Sequence, residues 1–378
     1  MPSELQLKSL IIQNFRGFEN FQINQLGRVN LIVGKNNVGK TSLLEAILLY
    51  ANRGSGLTIY DILKDRDEHR LLGSMQDDES SYEEFFALKN LFFGREDFTE
   101  STKTIVIGED TQKNLSLKAQ WYQRQINDDD IPINTPIKFE DISSSENPFP
   151  GIDIRINNGK GMTYGRIDRY NRRISRIIND SLEINCNIIY SNKTDPQQLG
   201  KWRDISLIDG LESNVIEALQ IIEPDVNSIN MVNYRNNDRN TRQPSSYPIP
   251  IVKLNRYDKF IPLKSLGDGI NRIFALILAL VNSKNGVFII DEIENGLHYS
   301  IYPDVWKLIF KLSETLNVQV FATTHNKECL NAFNKTNKDQ SAQSGRLIRL
   351  GRKKGKIVAT EYNQKDMQVI VERDIEVR

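Results

Sequence analysis

The run Gly34-Lys35-Asn36-Asn37-Val38-Gly39-Lys40-Thr41 constrains this chain more than any other stretch. It fits G-x-x-x-x-G-K-[ST] and is followed by Ser42. Before it, Arg28-Val29-Asn30-Leu31-Ile32-Val33 carries the β-branched, apolar content of a strand. After it, Thr41 to Tyr50 is apolar on nearly all sides, as a helix covered by a sheet should be. Glycines in such a strand–loop–helix unit let backbone amides wrap phosphate oxygens, and the helix N-terminus adds a favourable dipole. The pattern makes Gly34 to Ser42 candidate nucleotide ligands, with Lys40 reaching the β- and γ-phosphates and Thr41 ligating Mg²⁺. ATP and Mg²⁺ are the cofactors this implies.

Length and composition bound the rest. At the usual ~100–200 residues per domain, 378 residues predict two or three packed units. With 39% apolar and 26% charged residues, the chain is an ordinary globular one, which excludes collagen-like, wholly disordered and disulfide-scaffold classes. Cys186 and Cys329 form no CxxC or Cys/His pattern, so no zinc site or disulfide framework is expected. The longest apolar run, Ile273 to Val281, falls short of the ~18–20 residues a bilayer requires. Met1-Pro2-Ser3-Glu4 lacks the basic-then-apolar start of a signal peptide, so a cytoplasmic location without a membrane partner is expected. The 49 basic and 49 acidic residues are unevenly spread: residues 1–150 hold 16 basic against 23 acidic, and residues 151–378 hold 33 against 26. A local basic surface is compatible with that distribution.

Strands are predicted at Leu5–Ile12, Thr104–Gly108, Leu115–Trp121, Ile152–Ile156 and Ile184–Tyr190, with helical stretches at Ile59–Lys64 and Ser81–Phe93. Two segments rich in polar residues and proline, Asn127–Gly151 and Asn233–Pro250, read as long loops. From Leu263 the pattern becomes helix (Asn271–Asn282), strand (Val287–Ile290), helix (Ile301–Leu316), strand (Val318–Ala322), an α/β succession with a mostly parallel sheet.

Three further constellations carry chemistry. Val287-Phe288-Ile289-Ile290 ends in Asp291-Glu292 at the edge where α/β sheets bind ligands. There Asp291 would hold Mg²⁺ through water, and Glu292 would deprotonate the attacking water. Ala322-Thr323-Thr324-His325 brings a histidine to the end of a neighbouring strand, within reach of a γ-phosphate. Ser265-Leu266-Gly267-Asp268-Gly269 opens an apolar helix and can present amides to a second phosphate, which suggests composite sites formed by two chains head to tail. Singly, these are also an acid-capped strand, a core histidine and a glycine turn; the phosphate loop beside them favours the functional reading.

Taken in order, Asn14-Phe15-Arg16-Gly17-Phe18, the phosphate loop, Ser265–Arg272, Val287–Glu292 with Glu294-Asn295-Gly296-Leu297-His298, and Thr324-His325 resemble the ABC-class ATPase head of SMC, RecF and OLD proteins. The resemblance covers roughly residues 1–52 and 260–333 and is closest to the OLD-like ATPases of prokaryotic defence systems such as Gabija and PARIS. It implies an ABC-ATPase head with a mostly parallel P-loop sheet flanked by helices, an antiparallel β-lobe and an inserted helical and β region. The core would comprise 1–52 and 260–378, split by an insertion over 53–259. It further implies Walker A at Gly34–Thr41, a signature at Leu266–Gly269, Walker B at Asp291 and Glu292, a D-loop from Glu294, a switch at His325, and Arg16 near the nucleotide. The signature serine corresponds either to Gly267 or to Ser265. The Q-loop candidates are Gln120 and Gln123. Only 53 residues follow His325, too few for the TOPRIM nuclease domain that single-chain OLD proteins append, so an effector nuclease or toxin would be a separate protein.

Arg166, Arg169, Arg173 and Arg176 would share one helical face, with Arg172, Tyr164 and Tyr170 interleaved. That face could meet double-stranded DNA phosphates or an acidic partner, or be a solvated helix surface. Arg346 to Lys356 reads as a solvated hairpin around Gly355. The function expected is a homodimeric or higher-order ATP-hydrolysing switch coupled to nucleic-acid sensing or to a separate effector in antiphage defence. A RecF-like DNA-repair ATPase and an ATP-bound scaffold holding an effector inactive are the alternatives. Lys40→Ala is expected to abolish ATP binding in calorimetry; unchanged affinity would remove the phosphate-loop assignment.

Overall fold

The computed structural model describes residues 4–68, 87–96, 103–110, 112–126, 132–145, 148–157, 162–164, 184–191, 196–236, 245–338 and 345–372. In chain order the strands are β1 (Leu10–Phe15), β2 (Phe18–Ile23), β3 (Val29–Val33), β4 (Ile105–Gly108), β5 (Asn114–Ile126), β6 (Pro132–Ile137), β7 (Pro148–Ile156), β8 (Met162–Tyr164), β9 (Cys186–Ile189), β10 (Val226–Asn236), β11 (Ser245–Leu254), β12 (Ile261–Pro262), β13 (Val287–Ile290), β14 (Gln319–Thr323), β15 (Gly345–Lys353) and β16 (Lys356–Tyr362). The helices are α1 (Lys40–Ala51), α2 (Gly56–Lys64), α3 (Pro196–Ile208), α4 (Glu212–Ile222), α5 (Asp268–Val281), α6 (Tyr302–Thr315), α7 (Lys327–Asn337) and α8 (Gln364–Glu372).

The central sheet runs β16-β15-β3-β14-β13-β9. Every pairing from β15 to β9 is parallel, and only β16 joins antiparallel. Parallel strands covered on both faces are largely apolar, and β3, β13 and β14 are buried at every position, their polar Asn30, Gln319 and Thr323 being hydrogen-bonded. The alternation of side chains divides them between two cores. Val287 and Ile289 point with Ile32, Phe321 and Ile348 into a layer built by α1 and the antiparallel strands. Phe288 and Ile290 point with Leu31, Val320 and Ala322 into a layer built by α4, α5, α6 and α7. The second sheet, β2-β1-β4-β5-β7-β8 with β6 on β5, is antiparallel. Residues 53–259 thus supply strands to both sheets: β4 pairs β1 and β9 pairs β13.

Two expected loops are strands in their described parts. Within Asn127–Gly151, β6 and the start of β7 pair β5, with a 3-10 stretch at Phe139–Ser144 between them. Proline misled the reading, yet β6 pairs β5 alone, and an edge strand accepts residues that cannot donate. Within Asn233–Pro250, β10 and β11 continue their ribbon through Asn233↔Pro248, Tyr234↔Tyr247 and Asn236↔Ser245. β12 reaches only Ile251 and Val252, so Pro248 and Pro250 lie along the open stretch of β11. Of the helix expected at Ser81–Phe93, the described part is a 3-10 turn at Leu88–Leu91. The arginines from Arg166 to Arg176 lie outside the described residues; Tyr164 ends β8. The hairpin around Gly355 is present as β15–β16, but it is not a solvated one: β15 pairs β3 in the central sheet and buries Leu347, Ile348 and Leu350, and of Arg346 to Lys356 only the turn residues from Arg352 onward are exposed. Among the described residues no helix is long and apolar enough to cross a membrane.

One buried amide fastens the N-terminus to this frame. Gln319 Oε1 accepts from the Leu7 backbone N–H at 2.9 Å, while its Nε2 donates to the carbonyls of Leu7 at 2.8 Å and Gly27 at 2.9 Å. An apolar residue there would leave three buried backbone groups unpaired, each worth about 1–3 kcal/mol. Gln319→Leu is expected to lower unfolding stability by more than about 2 kcal/mol in urea titration, and a change within experimental error would discount the tie.

Candidate nucleotide-binding site

Register assembles the site. Ile290 pairs with Ala322 and Thr323 with Ile32, so β3, β14 and β13 end together. The glycine loop after β3, Thr324-His325 after β14 and Asp291-Glu292 after β13 therefore collect at one sheet edge. The glycine loop needs its glycines: Gly34 has φ 151° and Gly39 has φ 107° as the N-cap of α1. A Cβ on Gly34 would stand 2.7 Å from the Leu350 carbonyl oxygen. Lys35, Asn36 and Asn37 are exposed, while Val38 packs inward. Lys40 folds back over the loop, its Nζ donating to the carbonyls of Gly34 at 2.8 Å and Lys35 at 3.2 Å. Burial lowers the lysine's pKa, and the carboxylates of Glu292, Asp291 and Glu294 oppose that shift.

Thr41 Oγ1 lies 3.2 Å from Asp291 Oδ2, joining α1 to the end of β13. Thr323, absent from the sequence-derived set, orients this carboxylate: its hydroxyl donates to Asp291 Oδ1 at 2.7 Å and accepts the Glu292 N–H at 2.8 Å. Glu292 has φ 50°, a left-handed conformation costly for a side-chain-bearing residue and held here by that hydrogen bond. His325 Nδ1 stands 3.0 Å from Glu294 Oε1 and 3.4 Å from Glu292 Oε1. Glu294 also accepts the His325 backbone N–H at 2.9 Å, so this buried carboxylate fixes the histidine. Asp291, Glu292, Glu294 and His325 therefore stand as one cluster opposite Lys40 and Thr41.

Not every expected residue joins it. Leu266 closes a 3-10 turn over Leu263–Leu266, Gly267 caps α5 with φ 112°, and Ser265 and Asp268 are exposed. This turn lies against the segment after Glu294: a Cβ on Gly269 would stand 3.5 Å from the Gly296 carbonyl. Gln120 and Gln123 lie on β5 of the antiparallel sheet, Gln120 donating to the Tyr122 hydroxyl. The strand beside Asp291 is β9, whose Ile189 carbonyl accepts the Asp291 N–H at 2.9 Å. Next along it, the Tyr190 carbonyl accepts from Arg272 Nη1 at 2.9 Å, so a buried arginine on α5 ties that helix to the site edge. A cavity of about 430 Å³ opens farther back, between α2, β9 and α3, and contains none of the predicted site residues.

Arg16 is buried in an ion cluster with Glu45 and Glu68. Its Nε lies 2.6 Å from Glu45 Oε2 on α1, and its Nη1 lies 2.8 Å from Glu68 Oε2. Arg66 adds Nε to Glu45 Oε1 at 2.7 Å and Nη2 to Ser42 Oγ at 3.1 Å. Burial pushes the Glu45 carboxyl up, and the Arg16 and Arg66 guanidinia pull it back. The cluster thus grips the phosphate-loop helix one turn beyond Thr41. The hydrophobic reading of α1 concealed Glu45, since a single acid in an apolar helix looks like its solvent-facing residue.

A phosphate loop, an Asp-Glu strand end and a neighbouring histidine on a parallel sheet define a P-loop ATPase head. The comparisons agree: residues 6–109 and 75–330 match the family model described as AAA ATPase domain, and the chain belongs to that family. A Helicobacter pylori protein described as an ATP/GTP phosphatase is 23% identical over 359 residues, spanning 85% of this chain and 86% of that one. The DNA replication and repair protein RecF of Listeria welshimeri is 36% identical over 72 residues, 18% of this chain and 20% of the relative. The crystal structure of an Smc head bound to the C-winged helix domain of ScpA superposes with a TM-score of 0.50 at 15% identity, over 95% of this chain and 98% of that one, which establishes the shared fold.

Both Arg16 and Glu45 side chains are 4% exposed, and removing one member of such a pair strands the other charge. Glu45→Gln is expected to cost about 3–5 kcal/mol of stability by chemical denaturation; a loss under about 1 kcal/mol would show that Glu68 holds Arg16 without it.

Proposed function

We propose that the chain hydrolyses ATP and uses the bound state as a switch for assembly with a second copy of itself. The observation that carries this is the 3.2 Å approach of the Thr41 hydroxyl to the Asp291 carboxylate across the mouth of the phosphate loop. A hydroxyl and a carboxylate in that position are oxygen ligands of the kind Mg²⁺ takes, and Thr323 supports the carboxylate from behind. Magnesium held there supplies charge neutralisation for the phosphates.

The chain's own groups do the rest. Amides of Gly34 to Ser42 bind phosphate oxygens, and Lys40 exchanges its two carbonyl acceptors for the β- and γ-phosphates. Its depressed affinity for a proton when buried is relieved by the anionic ligand, so the triphosphate draws the ammonium into place. Glu292 accepts the proton of the attacking water, and His325, oriented by Glu294, donates toward the γ-phosphate. The relation to a protein described as an ATP/GTP phosphatase supports nucleoside-triphosphate hydrolysis.

The exposed turn Ser265 to Gly269 serves the nucleotide of the opposing chain, completing a composite site in a homodimer. The order of motifs, from Asn14–Phe18 to His325, supports an OLD-like cytoplasmic ATPase of antiphage defence that controls a separate effector, a TOPRIM-type nuclease or a toxin. The RecF stretch supports the DNA-repair alternative. Copurification from the native operon separates the two by the partner recovered.

Glu292→Gln is expected to retain ATP binding, slow hydrolysis by about 10²–10⁴-fold, and accumulate an ATP-bound dimer in light scattering. Turnover at the parental rate would dismiss Glu292 as the base, and a strict monomer during turnover would dismiss the composite site.

A further inference from the structure

The C-terminal hairpin reaches the phosphate loop from the side opposite β14. β15 lies parallel to β3 with Arg349 beside Val33, so its next residue, Leu350, passes alongside Gly34. The chain turns at Lys354-Gly355 and comes back as β16. There the Ile357 Cδ1 methyl stands 3.1 Å from the place a Cβ would occupy on Gly39, and also 3.1 Å from the corresponding place on Gly17. One methyl group therefore touches the phosphate loop and the Arg16-Gly17 turn at once.

Ile357 is held firmly where it is. On one side Lys356 Nζ pairs with Glu19 Oε2 on β2 at 2.8 Å. On the other, the Glu361 carboxylate accepts the backbone N–H groups of Asn24 at 2.8 Å and Gln25 at 2.9 Å. Ile357 itself is buried. Gly39, by contrast, has no side chain with which to fix itself, and it immediately precedes Lys40 at the start of α1. Its carbonyl accepts the Leu43 N–H at 2.9 Å, and Phe18 Cζ stands 3.3 Å from the same Cβ place, so Ile357 and Phe18 together pack its outer face; a gap of less than an ångström forfeits much of the dispersion energy of such a contact.

We propose that Ile357 is a positioning residue for the nucleotide. Its δ-methyl seats the Gly39 end of the phosphate loop against the Arg16-Gly17 turn and so sets the affinity for the triphosphate. The inference rests on reading Gly34–Thr41 as the phosphate loop. It assigns a part in nucleotide binding to a strand near the far end of the chain, which carries no nucleotide motif.

The test is ATP affinity by calorimetry together with kcat at saturating ATP, in the full chain. Ile357→Val removes only the touching methyl, and Ile357→Ala enlarges the gap. Both are expected to weaken ATP binding, by about ten- to a hundredfold for Ala and less for Val, since small misplacements of binding groups are amplified to that degree. Once ATP saturates, kcat should stay within about twofold, because the loss lies in binding rather than in the reacting groups. Ile357→Leu, which keeps a δ-methyl, should recover most of the affinity. Leu312→Ala in the other core supplies the comparison: it should lower the melting temperature without weakening ATP binding. If Ile357→Val and Ile357→Ala melt earlier but bind ATP as the parent does, Ile357 is a core residue only and the inference falls. If the parent itself binds no ATP, or Lys40→Ala binds it unchanged, the phosphate-loop reading falls and takes this inference with it.

Discussion

The structure depends on β14 being inserted between β3 and β13. This strand carries none of the phosphate-binding residues, yet its pairing aligns the glycine loop on one side with Asp291-Glu292 on the other. It contributes Thr323 to hold the aspartate and leads directly to His325. A slip of one residue would reverse the faces of Phe321 and Ala322, which belong to opposite cores, and would move Thr323 away from Asp291. Burial on both faces of the sheet thus enforces the placement of Asp291, Glu292 and His325 at its edge.

Electrostatics at the site is layered. Nearest the loop mouth are exposed or half-exposed groups, Lys40, Glu292 and His325, which can exchange their present partners for a ligand. Behind them lie groups already satisfied by the fold, including Thr323 on Asp291, Glu294 on the His325 backbone, and Arg272 on the Tyr190 carbonyl. Beside them, Arg16 and Glu45 are buried as a pair whose opposite charges offset that burial, with the more exposed Arg66 and Glu68 at its rim. The sequence resemblance sets Arg16 near the nucleotide, and the fold ties it to Glu45 on the helix that carries Thr41.

What could be read from the sequence was what is local in it. The glycine loop, the apolar strand before Asp291 and the histidine after β14 each announce themselves within a dozen residues, because parallel strands are largely apolar and their ends bear the chemistry. Thr323, Glu45 and Gln319 were not legible, since their roles depend on partners 32, 29 and 312 residues away. β6 and the ends of β10 and β11 within Asn233–Pro250 read as loops because proline and asparagine signal turns, whereas an open strand edge tolerates both. The helices α3 and α4 were passed over as well, although Trp202 and Leu219 anchor them in the core.

The position of β3 has a consequence for biosynthesis. Both of its neighbours, β14 and β15, come from the far end of the chain; Asn30 donates to the Val320 carbonyl across 290 residues. At about 5–20 residues per second, a ribosome needs roughly 15–60 s to make the intervening chain. Throughout that interval a mostly apolar strand, made early, lacks both of its partners in the central sheet. The antiparallel strands β1, β2, β4 and β5 can pair meanwhile and shelter α1, but the sheet edge that carries the glycine loop is completed only once β14 and β15 have been made. Such delayed, non-local pairing makes the nascent chain a natural client for chaperones.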